Sequence, residues 1–369
     1  MTVWEVIVVG AGPAGAWAAR RLAQQGARVL LLDRARFPRE KPCGGGLSPK
    51  AYRQFDRPPD HLVRARVSEV LLEGRWTRPF VLGDHRHPIW MVERATFDAY
   101  LLDLAIQAGA TVWTGERVVG VLPGRPAVVQ TERALLPARV VIAADGAESV
   151  VARRLGLRRE RRAFVALETE VALASDPFAG RALLSYRLPW GYFWLFPKGD
   201  RWNLGLGSLD PRVWPALRRH CHAFLARLGL RPREPLRLQG HRIPVDGVGA
   251  PLQAGNVLLV GDAAGLADPF FGEGIAFALK SADLAAQVVG GWLEGKEPDL
   301  EAYTRRVQRT LARDLRAWGL VAAVVYRAPD LALWALRRSR RLQALAAASI
   351  AGTKSRSHLW SPAATGQTV

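Results

Sequence analysis

Residues 3–15 read VWEVIVVGAGPAG, and that run settles what kind of chain follows. Residues 3–9 are apolar and rich in β-branched side chains, which suits a parallel strand buried on both faces. Gly10, Gly12 and Gly15 then stand at the spacing G-x-G-x-x-G, with Ala14 inside the motif, and an alanine-rich helical segment runs on to about Gln25. Gly26 stops that helix, and 28–33 (RVLLLD) reads as a second buried strand closed by Asp33 and followed by Arg34. In such a β-α-β unit Gly10 permits the tight turn, Gly12 lets a pyrophosphate approach the backbone, and Gly15 lets the helix pack on the strand. The helix N-terminus adds free N–H groups and the positive end of a dipole. Asp33 lies at the distance expected of a carboxylate that grips a ribose hydroxyl. The glycine pattern alone is weak, and a tight turn without a ligand is the plain alternative. Strand, helix, strand and acid together mark a dinucleotide site.

Two later stretches repeat the theme. Residues 143–149 (AADGAES) follow a strand and carry Asp145 and Gly146. Residues 261–274 (GDAAGLADPFFGEG) follow another, 256–260, and carry Gly261, Asp262, Pro269, Gly272 and Gly274 before Ile275 opens a long helix to about 293. An aspartate at the end of a buried strand can accept from sugar hydroxyls while the next helix N-terminus faces phosphate or a ring edge. Between these pieces the texture changes. Short strands and turns fill 67–92, a helix with Phe97, Leu101, Leu104 and Ala105 on one face covers 94–108, and strand-like segments follow at 111–114, 117–122, 126–131 and 138–144. A second antiparallel layer is expected over 163–208, then a helix over 211–228. Residues 299–350 read as helical with an interruption at Pro329, and 352–369 as a frayed tail.

Composition limits the rest. The chain has 369 residues, of which 49% are hydrophobic and 23% charged, so it is long enough for two domains or one with an inserted layer. Two cysteines, Cys43 and Cys221, make no disulfide framework, and no metal site is expected. With no leader read before the first strand, the expectation is a cytoplasmic, monomeric enzyme. The longest apolar stretches near the C-terminus, such as 317–326, are too short to span a bilayer. Net charge is +19, with basic clusters at 153–162 and 337–341. An arginine-rich background explains that charge, as does a basic face on an anionic membrane at its inner side. Nucleic acid is disfavoured, because no recognition motif accompanies the charge.

With its glycine, DG and GD motifs, the chain resembles the flavoprotein superfamily of p-hydroxybenzoate hydroxylase type. The resemblance implies FAD, with Gly10, Gly12, Gly15 and Asp33 holding the ADP half. Asp262 would hold the ribityl chain, and Gly272 to Ile275 would run along the pyrimidine edge. Arg94 matches an arginine that contacts the nucleotide, and Val118 joins the cofactor-binding set.

A further pair of motifs selects the branch. KPCGGGL, 41–47, places Cys43 directly before Gly44 and Gly45, and PWGYFWLFP, 189–197, carries Trp190, Tyr192, Trp194 and Phe196. In a strand Tyr192, Trp194 and Phe196 share one face and Phe193 and Leu195 the other, so the strand is buried on both sides or lines an apolar cavity. Both stretches, with RATFDAYLLDLA, are similar to signatures of the geranylgeranyl reductase family, over residues 3 to about 295. That resemblance implies an α/β fold: a Rossmann-like FAD-binding domain with an inserted antiparallel β substrate-binding layer and a C-terminal helical region. The expected division is 1–66, 92–162 and 240–298 for the FAD domain, 67–91 and 163–239 for the substrate layer, and 299–369 for the helices. It also implies saturation of isoprenoid C=C bonds by hydride from reduced FAD, with NAD(P)H or ferredoxin as electron donor. Substrate contacts then fall to the four aromatic residues, and Gly44 and Gly45 pass close to the flavin. Cys43 is either an acid near the flavin or a small buried hydrophobe. Two rivals remain: a flavin monooxygenase or halogenase, for which Lys41 is the nearest candidate lysine, and a prenyl-binding protein without flavin.

Overall fold

The computed structural model describes residues 3–157, 162–173 and 176–352. The expected tail beyond 352 and part of the first basic cluster lie outside them. The run that opened the sequence, Trp4–Val9, is the centre of an eight-stranded sheet. It pairs in parallel with Val29–Asp33 on one side and Leu135–Ala143 on the other. Thr111–Thr114 and Val257–Leu259 extend the sheet outward, again in parallel. Val6 to Val9 and Val29 to Leu32 are buried, as their unbroken apolar runs require when helices cover both faces.

Helix α1 (Pro13–Gln24) begins with Pro13 in its first turn, where the missing N–H costs nothing. Short α2 (Pro49–Tyr52) follows the cysteine-glycine stretch, and α3 (Arg94–Gln107) buries Phe97, Leu101 and Ala105. A five-residue α4 (Val150–Arg154) follows the DG motif.

The second sheet has seven strands in the spatial order Gln239–Pro244, Ala163–Val171, Arg201–Ser208, Gly191–Lys198, Ala182–Ser185, Glu69–Glu73 and Phe80–Gly83. Its pairings are antiparallel except that of Ala182–Ser185 with Glu69–Glu73. One face is covered by α5 (Leu217–Arg227), which is shorter than the sequence suggests because Pro215 holds 214–216 in a tighter 3-10 turn. Phe193, Leu195, Cys221 and Phe224 form the core there, and burial pushes the Cys221 thiol up to about 11. The opposite face looks toward the first sheet. A third, small sheet joins Gly46–Leu47, Ile89–Val92 and Val63–Val67 between the two.

The long α6 (Ile275–Leu293) packs on α1, tied by Trp17 Nε1 donating to Asp283 Oδ1 at 2.9 Å. Then come α7 (Ala302–Thr310), α8 (Ala312–Arg327), α9 (Pro329–Arg338) and α10 (Arg340–Ala351). The break expected at Pro329 is present, with the proline opening α9. Among the described residues no single helix is long and apolar enough to cross a membrane.

Candidate functional site

One cavity of about 830 Å³ runs from the first glycine loop, past the cysteine-glycine stretch, to the inner faces of α8, α9 and α10. At its polar end the three motif glycines divide their labour. Gly10 has φ +97°, and a Cβ there would overlap the carbonyl of Ala144; a Cβ on Gly15 would overlap the carbonyl of Gly10. Both are packing requirements. Gly12 alone is open: the nearest atom to a Cβ would be Arg39 Nη2 at 3.6 Å. Gly10, Gly12 and Ala14 line the cavity, and Gly15 does not. The cradle therefore has the free backbone surface a pyrophosphate needs, beside the start of a helix. Gly261 is likewise a packing glycine, φ +57°, where a Cβ would stand 3.0 Å from Ala14 Cβ. Its N–H donates to Ser281 Oγ.

Asp33 Oδ2 accepts from the Ala11 N–H at 2.7 Å and Oδ1 from the Ala35 N–H at 2.8 Å. The carboxylate thus shapes the loop as well as facing the cavity, which Arg34 and Val118 also line. Asp145 and Gly146 line the cavity, and Asp145 also has a local structural role. Its Oδ2 accepts from Val150 and Val151, at 2.7 and 3.2 Å, and so caps α4. The other oxygen is buried with no partner, and burial raises the carboxyl's pKa. Gly146, φ +79°, supplies the turn between them.

Arg94 lines the cavity and is held by a partner on its own helix. Its Nε and Nη2 donate to the two oxygens of Asp98, each at 2.8 Å, and it also hydrogen-bonds the Cys43 thiol. Asp98 is fully buried and pairs as well with Arg39 Nη2 at 3.0 Å. Arg39, unnoticed in the sequence, is the guanidinium beside Gly12.

In the middle of the cavity lie Lys41, Cys43, Gly44, Gly45, His241, Asp262, Gly272, Gly274 and Ile275. Lys41 Nζ stands 3.0 Å from His241 Nε2. Burial, then Lys41 and Arg94, push that imidazole down to about 3, so it is neutral. Burial also lowers the Lys41 ammonium, with Asp262 acting against it. A Cβ on Gly274 would be 3.2 Å from Asp262 Oδ1, which puts this carboxylate at the N-terminus of α6.

The aromatic strand lines the cavity on one face only. Tyr192, Trp194 and Phe196 line it, while Phe193 and Leu195 belong to the core under α5. Tyr192 donates to the Phe271 carbonyl at 2.6 Å and Trp194 Nε1 to Asn203 Oδ1 at 2.7 Å. Room for the rings comes from the neighbouring strand: a Cβ on Gly205 would overlap the Trp194 indole, and one on Gly207 the Phe164 ring. Besides Gly15 and Gly261, two more expected site residues do not line the cavity. Trp190, φ +50°, is the bend before the strand, its carbonyl accepting from Leu209 N–H, and it does not line the cavity. Pro269 is buried away from the cavity, against Gly319 of α8.

Glu168 is the other residue missed. It is a cavity-lining carboxylate in Ala163–Val171, accepting from Asn203 Nδ2 and from the Cys43 backbone N–H. Burial raises its pKa; Asn203, Lys198 and the Cys43 N–H act the other way. Two glutamates, Glu168 and Glu170, in the second half of a strand that opens apolar (AFVALETEV) are the signal available for it. Past the aromatic strand the walls are apolar: Leu72, Leu184, Tyr186, Phe270, Trp318, Val321, Val325, Leu333 and Leu336 among them.

The FAD binding domain family matches residues 3–187. A geranylgeranyl diphosphate reductase of Rhodobacter capsulatus is 34% identical over 81% of this chain and 78% of its own. A digeranylgeranylglycerophospholipid reductase of Thermoplasma acidophilum is 31% identical over 86% of this chain and 87% of its own. The crystal structure of a geranylgeranyl bacteriochlorophyll reductase-like protein from Thermoplasma acidophilum superposes with a TM-score of 0.81 and 26% identity, covering 97% of this chain and 99% of that one.

Proposed function

The chain belongs to the geranylgeranyl reductase family of FAD-dependent oxidoreductases, and from that membership we propose that it saturates C=C bonds of an isoprenoid chain carried by a polyprenyl lipid or a menaquinone tail. The observation that carries the reading is the continuity of the cavity: one space joins a pyrophosphate cradle to an apolar tunnel, with Cys43–Gly45 opposite Tyr192, Trp194 and Phe196 at the junction.

The residues present fit FAD. Gly12 leaves the backbone bare, Arg39 adds positive charge beside it, and Asp262 and Gly272 to Ile275 stand at the start of α6. When bound and reduced, the cofactor supplies a hydride to one carbon of the double bond. The chain's own residues do the remainder. Tyr192, Trp194 and Phe196 line the path of the prenyl segment beside the cysteine-glycine stretch and keep water out. Cys43 Sγ, which stands beside the Arg94 guanidinium, gives a proton to the second carbon. We take the first sheet with its helices as the FAD-binding domain, the seven-stranded sheet as the substrate layer and 299–352 as the helical part. The protein works as a cytoplasmic monomer in peripheral contact with the membrane, with NAD(P)H or ferredoxin as electron donor.

The test is anaerobic. Protein carrying photoreduced FAD is mixed with geranylgeranyl diphosphate, a digeranylgeranylglycerophospholipid or menaquinone, and flavin absorbance is followed beside product mass. Flavin reoxidation with products whose prenyl chain is heavier by pairs of hydrogens, read by fragment mass so that quinone-ring reduction is not counted, supports the proposal. Reoxidation that occurs only with oxygen, yielding an oxygenated or halogenated product, would sink it.

A further inference from the structure

From 315 to 344 the exposed residues are leucine, alanine, valine, tryptophan and arginine alone. On α8, Leu320 and Val324 stand one turn apart and are each 55% exposed; past the bend, on α9, Leu331 is 65% and Trp334 50% exposed. The inner faces of these helices are apolar as well. Trp318, Ala322, Tyr326 and Leu333 are buried in an aromatic cluster, and Val321, Val325 and Leu336 line the cavity. A helix that is apolar all round belongs inside a core or against a second apolar phase, and one face of each of these is at the protein surface.

A separate element adds to the same place. Trp76, 79% exposed, is at the tip of the hairpin joining Glu69–Glu73 to Phe80–Gly83. Asp330, in the first turn of α9, accepts from the backbone N–H groups of Trp76 and Thr77, at 2.8 and 2.7 Å, and from the Thr77 hydroxyl at 2.8 Å. That clip fixes Trp76 at the end of α9 from which Leu331 and Trp334 project. Each exposed tryptophan carries an arginine over its ring: Arg75 at 5.4 Å from Trp76 and Arg338 at 4.7 Å from Trp334. Arg327, Arg337, Arg340 and Arg341, all exposed, stand at or just past the ends of α9 in the sequence.

We infer that this face docks on an anionic lipid bilayer, with Trp76, Leu331 and Trp334 entering the headgroup boundary and the arginines meeting lipid phosphates. Tryptophan beside arginine is the combination that such a boundary accommodates, ring inward and guanidinium outward. α8 and α9 together match a span by length and composition only, and their 107° bend suits a bilayer surface better than a crossing. A second copy is the weaker occupant, since an arginine-only rim on a chain of net charge +19 meets its own like charge. The inference rests on the proposed reading that the substrate is a lipid: the docking helices are also the cavity wall, so a prenyl chain in the bilayer meets the protein beside its site.

The FAD-loaded chain is sedimented with vesicles of phosphatidylcholine plus phosphatidylglycerol, and with phosphatidylcholine alone. The expected result is binding that needs the anionic lipid, weakens with added salt, and falls about tenfold in Leu331→Ser/Trp334→Ser and in Trp76→Ser. Asp330→Ala, which releases the hairpin, should resemble Trp76→Ser. All of these variants should match the parent on a detergent-dispersed prenyl substrate. Equal sedimentation of parent and variants overturns the inference, as does self-association that the variants abolish without any vesicle binding. Vesicle binding without reduction of any prenyl chain rejects the proposed function and keeps this face; detergent turnover without vesicle binding rejects this face alone.

Discussion

A Cβ built on Gly44 would stand 3.1 Å from the ring of Phe196 and 3.6 Å from Trp194 Nε1. The bare backbone of Gly44 and the aromatic strand thus pack so closely that a methyl group fits only if the Phe196 ring shifts. Gly44→Ala should narrow the junction, at a cost of about 1–3 kcal/mol typical of overpacking. The expected outcome is a fall in kcat/KM for a prenyl substrate with FAD content unchanged. Phe196→Leu in the same chain should recover part of it. Unchanged turnover in Gly44→Ala would place the substrate elsewhere.

The cradle allows a contrast between two neighbouring glycines. Gly12→Ala meets only Arg39 Nη2, so the fold should keep its melting temperature while FAD affinity falls at least about tenfold, or about 1.4 kcal/mol. Gly15→Ala drives a methyl into the Gly10 carbonyl, so its first effect should be on stability, by about 1–3 kcal/mol or more. FAD titration and thermal melts, run on both, separate the two roles. Equal loss of stability in both variants would refute the division.

These cases show what could be read from sequence and what could not. The two buried strands, the glycine loop and the helix starts follow from local patterns, because each needs only neighbours a few residues away. Arg94 paired with Asp98 is also local, four residues apart on one helix, and RATFD contains both partners. Arg39 beside Gly12, Glu168 on the Cys43 N–H and Lys41 on His241 join distant segments, and no spacing rule reaches them. Trp190 and Pro269 differ for another reason: membership of a motif does not give a side chain's direction, and Trp190 makes the bend while Pro269 packs behind the cavity wall.

Asp268 makes a pH prediction. It is fully buried in the loop before α6, where Oδ1 accepts from the Phe270 N–H at 2.7 Å. Burial, then Glu273, push its carboxyl up to about 7, with Lys50 and the loop N–H groups acting against them. The folded state therefore holds this proton more tightly than the unfolded chain does. Its stabilising contribution is complete below the ordinary carboxylate range, about 4, and is lost as pH rises through about 7. Melting temperature should decline across that window, and Asp268→Asn, which keeps an acceptor oxygen, should flatten the decline. A slope unaltered in the variant would assign the titration to another group.

Glu168 makes the last prediction, because it holds the backbone of the residue proposed to deliver the proton. Its carboxylate accepts the Cys43 N–H and the Asn203 amide, so Glu168→Ala leaves both donors without an acceptor, at about 1–3 kcal/mol for a buried group. Glu168→Gln retains a carbonyl oxygen in the same place. Cys43 should therefore alkylate faster in the native alanine variant than in the parent, with the glutamine variant in between. Cys221 is fully buried with a raised pKa, so native-state labelling reports Cys43. Turnover should follow the same order in reverse, with FAD content constant. Equal labelling rates in all three proteins would mean that Glu168 does not position the cysteine, and its buried carboxylate would need another explanation.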